Sequence, residues 1–172
     1  MVKSLLLAED LFNADLLISY SDIIYSSQIV SLLLNSKCEN GIIVDLDWHK
    51  LWSRRFEKPL DDAETLIFDK DYNLLEIGEK TNNLKKIMAQ YIGLMKFNKK
   101  TLHFISELNS QKKIEDNLYM TDLIRIFLKN NINIKVIPIK RGWLEIDSLT
   151  DLLLYKEVIQ NQKKEDIFSI FS

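Results

Sequence analysis

Two aspartates far apart in the chain stand where chemistry would be useful. Asp22 follows the apolar run Leu16-Leu17-Ile18 and the triplet Ser19-Tyr20-Ser21, and Asp147 closes the stretch Trp143-Leu144-Glu145-Ile146-Asp147. A short apolar run bounded by small polar residues reads as a buried strand. An open α/β sheet binds its ligands beyond the carboxyl ends of its strands. Taken alone, Asp22 reads more simply as the cap of a turn; the second acid shifts the balance. Two carboxylates at separate strand ends can hold magnesium, which keeps most of its waters and takes few protein oxygens. Phosphoryl chemistry on a nucleoside triphosphate needs that counter-charge, and a lysine beside it can hold an attacking phosphate in line.

Other groups admit two readings each. Residues 48 to 63 crowd together Trp48, His49, Trp52, Arg54, Arg55, Phe56 and Pro59. Such a stretch can form a lid or a cation–π pocket for an organic cation, or a flap whose aromatics pack on the sheet. Arg54 and Arg55 can bind phosphate or form a solvated face. Asp45-Leu46-Asp47 mimics the acid-x-acid motif of metal-dependent glycosyltransferases, a pattern short enough to arise by chance. Gly93, inside an apolar strand, signals close approach of a ligand or another backbone. His49, His103 and Cys38 lack the partners that would make them a base or a nucleophile.

The elements that must position these groups are legible in order. A helix over 3 to 12 leads into a strand over 15 to 20. Ser26-Ser27 caps a helix to Asn35, and Gly41 opens a strand ending at Asp45. A strand from Glu64, a turn at Asp69 to Asn73, and a returning strand from Leu74 to Gly78 form a hairpin, with Glu79 and Lys80 directly after it. A strand over 90 to 97 precedes a helix over 99 to 109. Thr121 is the expected cap of a further helix, Asn130-Asn131 its stop, and 132 to 139 a strand. Ser148 or Thr150 caps a last helix over 151 to 160. Lys163 to Asp166 reads as solvated, and Ile167, Phe168, Ile170 and Phe171 as a short docking helix. Alternating strands and helices predict parallel crossover units in one domain spanning 1 to 172.

Composition narrows the class. Of 172 residues, 47% are apolar and 28% charged, with a net charge of −2. That is a globular balance without the basic face of a generic nucleic-acid binder. One cysteine forms no internal disulfide and points to a reducing, cytoplasmic setting. The apolar N-terminal stretch is broken by Glu9 and Asp10, and no apolar run is long enough to span a membrane.

Five motifs, in order, carry a resemblance: Ser21-Asp22, Glu76-Ile77-Gly78-Glu79-Lys80, Gln90-Tyr91-Ile92-Gly93-Leu94-Met95-Lys96-Phe97, Tyr119-Met120-Thr121-Asp122 and Gly142-Trp143-Leu144-Glu145-Ile146-Asp147. Over about Ser4 to Glu157 the chain resembles the sugar-phosphate and phosphocholine nucleotidyltransferases. The resemblance implies an α/β fold, a Rossmann-like mixed sheet flanked by helices, forming the C-terminal portion of the nucleotidyltransferase fold. It implies that Asp22 and Asp147 are the Mg2+ ligands, with Ser21 replacing the family's glycine. It makes Lys80 the catalytic lysine on the acceptor phosphate and Glu79 an acceptor contact, although Thr81 replaces the family's proline. Trp48, Trp52, Tyr91, Gly93 and Trp143 fall on the substrate side, the flap around Trp48 and Trp52 fitting a quaternary ammonium such as choline. The implied partners are CTP or another NTP and a phosphomonoester, with pyrophosphate released. The family's Gly-rich, Arg-containing nucleotide loop does not occur in these residues. The expected site thus has metal ligands and an acceptor pocket, and an unpaired strand edge where a second chain or a second copy could pair. A non-catalytic binding or assembly module is the alternative.

Overall fold

The computed structural model describes residues 1–162; the expectations for Lys163 to Phe171 lie outside the described residues. The elements run α1 (Val2–Leu6), β1 (Leu16–Ser19), β2 (Ile23–Tyr25), α2 (Ser27–Asn35), β3 (Gly41–Asp45), α3 (Trp48–Arg55), α4 (Pro59–Asp62), β4 (Glu64–Phe68), β5 (Leu74–Lys80), β6 (Gln90–Phe97), α5 (Lys99–Ser110), α6 (Met120–Lys129), β7 (Lys135–Ile139), β8 (Trp143–Glu145) and α7 (Leu149–Gln162). The main sheet has the order β1-β6-β3-β7. β6 runs antiparallel to β1 and β3, and β3 runs parallel to β7. The predicted mixed sheet is therefore present, with a single parallel pair.

Burial explains the order. β3 is buried at every position, as its unbroken Ile42-Ile43-Val44 run requires of a central strand. Pro138 sits in β7, an edge strand where a missing N–H is tolerated. β1 alternates half-buried and exposed residues, and its second side is unpaired among the described residues. Alternate residues of the sheet feed two cores. Ile42, Val44 and Met95 join α1, α5 and α6 on one face, whereas Ile43 and Leu94 join α2, α3 and α7 on the other.

Local signals and tertiary demands part at several points. The predicted N-terminal helix is α1 followed by a short 3-10 turn at Glu9–Leu11. Tyr119, not Thr121, precedes α6, and Asp122 reaches back to accept from the Tyr119 N–H at 3.1 Å. Thr121 instead packs on Gly78. Ser148 does cap α7: its Oγ accepts from the Asp151 N–H while Asp151 accepts from the Ser148 N–H, a reciprocal capping box. β2 and β8, three residues each, pair antiparallel as a separate ribbon that no sequence periodicity predicts.

Two positions hold the sheet's carboxyl edge, and a third holds the β4–β5 turn beside the start of β7. Asp45 is buried, and its carboxylate accepts from the Asp47 N–H at 2.8 Å, the Arg141 N–H at 3.0 Å and the Trp143 Nε1–H at 3.0 Å. It thereby pins the β7–β8 turn, where Arg141 and Gly142 both adopt positive φ. With its oxygens so engaged, Asp45 is a fold residue, and the acid-x-acid glycosyltransferase reading is set aside. Gly93 has φ +86°, and a Cβ there would lie 2.4 Å from the Tyr20 ring. The close approach predicted for Gly93 is thus made by a tyrosine side chain. At the β4–β5 turn, Asp69 accepts from the Asp71 N–H, the Asn73 N–H and the Asn73 side-chain amide at 2.8, 2.9 and 2.8 Å.

These contacts predict three outcomes. Gly93→Ala will lose at least about 2 kcal/mol in urea denaturation, from left-handed strain plus overpacking on Tyr20. Asp45→Ala will lose about 3 kcal/mol by the same measurement, because it strands buried donors; a loss within error would refute the role given to Asp45. The hydrogen bonds from Asn73 hold the Asp69 carboxyl below its usual 3.8. Its folded value lies below the unfolded one, so its contribution is present above the unfolded value and disappears as pH falls through the folded one. Amide-exchange protection at Asn73 will fall over that acidic range, and Asp69→Asn will flatten the dependence.

Candidate active site

The chain direction of the sheet brings the candidate groups to one edge. β1, β3 and β7 share a direction and β6 opposes them, so the ends of β1, β3 and β7 meet the start of β6. Asp22 leaves this edge just past β1. The β2–β8 ribbon then pairs Ile23 with Glu145 and Tyr25 with Trp143. The Ile146 N–H donates to the Asp22 carbonyl at 2.8 Å, which continues the pairing. Asp22 therefore lies opposite Ile146, one residue from Asp147. Two residues remote in sequence are made backbone neighbours by a three-residue ribbon.

A buried guanidinium organises the acids around them. Arg55, the last residue of α3, has a side chain only 1% exposed. It donates from Nη1 to Glu145 Oε2 at 2.5 Å, from Nη2 to Asp147 Oδ2 at 2.7 Å, and from Nε to Asp151 Oδ1 at 2.8 Å. Its plane lies over Trp52 and Phe56, 5.6 and 5.0 Å from the ring centroids. Burial alone would ease proton loss, but the hydrogen bond to Asp151 and the charge of Glu145 outweigh it and raise the guanidinium above its usual value. The solvated-face reading of Arg55 does not hold; the sequence offers no local signal that its partners sit some ninety residues away. Burial pushes Glu145 up to about 7 against the pull of Arg55, with Asp147 and Asp22 adding to the rise. Asp22 and Asp147 thus both add negative charge around Glu145, which Arg55 holds.

That surplus of negative charge suits a divalent cation. Among the described residues no three His, Cys, Asp or Glu side chains form a closed cage. Asp147 is 49% exposed and Asp22 is exposed, so water and phosphate oxygens can complete a two-carboxylate site. Magnesium takes such a donor set.

Glu79 and Lys80 end β5, whose register pairs Lys80 with Glu64. Gln90, at the start of β6, donates to the Glu64 carbonyl at 2.7 Å and ties this hairpin to the same edge of the sheet. Lys80 Nζ donates to the carbonyls of Asp62 and Asp61 at 2.7 and 3.3 Å, closing the end of α4. Glu79 forms an ion pair with Arg125, which also reaches Asp122 at 3.0 Å. Burial raises Glu64 above the usual carboxylate range, with Lys80 opposing. Sequence reasoning singled out neither Arg125 nor Glu64 for this edge, because each gains its place through a distant partner.

The aromatic residues serve packing. Trp48 and Trp52 are each 4% exposed and Trp143 is 3% exposed. Trp52 Nε1–H donates to Asp62 Oδ2 at 3.0 Å, and its ring lies 6.1 Å from Trp143. Of the two readings of this stretch, the flap packed on the sheet is the arrangement seen. Tyr91 meets Tyr20 edge to face at 5.8 Å and donates to Met95 Sδ at 3.3 Å. A broad cleft of about 1160 Å³ lies at the opposite end of the sheet, where Asn40, Asn98, Lys99 and Lys135 line it, and holds none of the predicted site residues.

With this geometry in place, comparison with known proteins is informative. No protein-family model matches the chain. Over 149 residues it is 41% identical to the CTP:phosphoglutamine cytidylyltransferase of Campylobacter jejuni, covering 80% of this chain and 57% of that protein. The chain thus spans little more than half the length of that relative. Its fold matches a Bacillus anthracis protein assigned as a glucose-1-phosphate thymidylyltransferase, with a TM-score of 0.62 at 18% identity over 98% of this chain and 64% of the other. It also matches the inositol-1-phosphate CTP transferase of T. maritima, with a TM-score of 0.63 at 13% identity over 95% and 60%. Sequence kinship and fold agree, and the chain belongs to the nucleotidyltransferase family.

Proposed function

We propose that the chain carries the metal and acceptor side of a cytidylyl transfer. A phosphomonoester oxygen attacks the α-phosphorus of CTP, the bond to the bridging oxygen of the β-phosphate breaks, and pyrophosphate leaves with that electron pair. The attacking phosphate is already ionised, so no general base and no covalent enzyme intermediate are required. The observation that supports this reading is the β2–β8 ribbon, which sets Asp22 opposite Ile146, the residue before Asp147. Magnesium bound by these two carboxylates would supply counter-charge to the triphosphate. Lys80, exposed and hydrogen-bonded among the described residues to two main-chain carbonyls, can exchange them for an acceptor phosphate, with Glu79 beside it for a polar group of the acceptor.

The relative's name gives phosphoglutamine as its acceptor. We favour a phosphorylated acceptor of that kind over choline phosphate, because Trp48, Trp52 and Trp143 are packed inside and offer no open cage. The unpaired side of β1 offers backbone groups to a further strand, and we place a second chain or second copy there. A single cysteine and a CTP-dependent reaction suit a cytoplasmic setting.

The test is pyrophosphate release by the purified chain with Mg2+, CTP and, in parallel, phosphoglutamine, choline phosphate or a sugar phosphate. Release is expected with phosphoglutamine, abolished by EDTA. Asp22→Ala and Asp147→Ala will each lower it at least about a hundredfold, the upper end of what supporting residues of a metal site cost. A folded chain that releases nothing with any acceptor would overturn catalysis by this chain and leave the binding or assembly module.

A further inference from the structure

We infer that Arg55 is the positioning residue of the metal site, holding Asp147 by one carboxylate oxygen so that the other stays available to a cation. This rests on the reading of Asp22 and Asp147 as the magnesium ligands. Asp147 lies just past β8 and is 49% exposed, so by itself its side chain would sample several rotamers. One bond restrains it, from Arg55 Nη2 to Oδ2 at 2.7 Å, and among the described residues its other oxygen accepts no hydrogen bond.

The donor is itself immobilised on every side. Nη1 is held by Glu145 on β8, and Nε and Nη2 are held by Asp151 in the first turn of α7, at 2.8 and 3.2 Å. Asp151 also accepts from the Asp147 and Ser148 N–H groups at 3.1 and 3.0 Å, fixing the backbone on which Asp147 stands. Three carboxylates take three different edges of one planar fork, an arrangement a lysine cannot reproduce. The charge balance points the same way. Three acids, Glu145, Asp147 and Asp151, share one guanidinium, so Arg55 restrains Asp147 without neutralising the site. Because Arg55 ends α3, it also couples the aromatic flap to Asp147.

The experiment is Mn2+ binding to the full chain, read by the electron paramagnetic resonance of free Mn2+, with circular dichroism as the folding control. Wild type will bind, Asp22→Asn will lose binding, and folded Arg55→Lys will bind about tenfold more weakly, the loss typical of a residue that orients a metal ligand. Arg55→Met, if folded, will be weaker still, so that lysine gives partial rescue. Should Arg55→Lys unfold, Asp151→Asn loosens the same guanidinium while keeping Arg55 and both ligands, and a few-fold weakening is expected. Unchanged Mn2+ affinity in a folded Arg55 variant, or in Asp151→Asn, with binding lost in Asp22→Asn, would overturn the positioning role alone. No Mn2+ binding by wild type, or equal binding by Asp22→Asn, would overturn the metal-site reading and this inference with it.

Discussion

A guanidinium withdrawn from water must be matched by carboxylates in fixed places, and Arg55 imposes that constraint on this molecule. Removing one partner of such a buried pair typically costs about 3–5 kcal/mol, because a charge is left uncompensated. Arg55 has one partner on β8, one on α7 and one between them, so the end of α3, the strand β8 and the first turn of α7 are fastened to one another. The aromatic residues around it belong to the same arrangement. Trp52 and Phe56 flank the guanidinium plane, and Trp52 leans on Trp143. A stretch that reads as a lid is the wall against which the acidic edge is assembled.

The remaining edge is built from equally specific contacts. Asp45 uses its carboxylate to hold the turn after β7, and that turn delivers β8 to β2. Gly93 leaves room for the Tyr20 ring, which lets the chain turn off β1 towards Asp22. Gln90 clamps the β4–β5 hairpin, with Glu79 and Lys80 at its end, to the start of β6. Each device is polar or sterically exact in its demands, and each acts on the end of a strand, where ligands of α/β sheets bind. Surplus negative charge at this edge and a lysine on its margin are the elements of charge-neutralised phosphoryl transfer.

Kinship and fold place the chain among nucleotidyltransferases while it spans 57% of the Campylobacter relative's length. The chain includes the acidic edge and Lys80 at the end of β5. β1 ends the sheet with one side unpaired among the described residues, and its exposure alternates as an edge strand's does. Asp22, three residues past the end of β1, therefore lies on the continuation of the strand that carries the open edge.

The sequence by itself determined the strands with strong apolar runs, the helices with amphipathic faces and the order of the motifs. β3, β6, α5 and the β4–β5 hairpin were legible because burial and turn chemistry are local. Asp22 and Asp147 were legible as candidates because each closes a strand-like run, and the order of the five motifs gave the family. What only the tertiary structure decided is which groups meet. β2 and β8 are three residues each, too short to show a period, and exist only because they pair with one another. Arg55 looked like one of two surface arginines until Glu145, Asp147 and Asp151 closed on it. Trp48 and Trp52 could be read as a ligand cage until the core beneath α2, α3 and α7 claimed them. Periodicity records a residue's relation to its neighbours in the chain. Pairing of short strands, matching of a buried charge and capture of an aromatic ring depend on partners across the fold, and no local pattern encodes them.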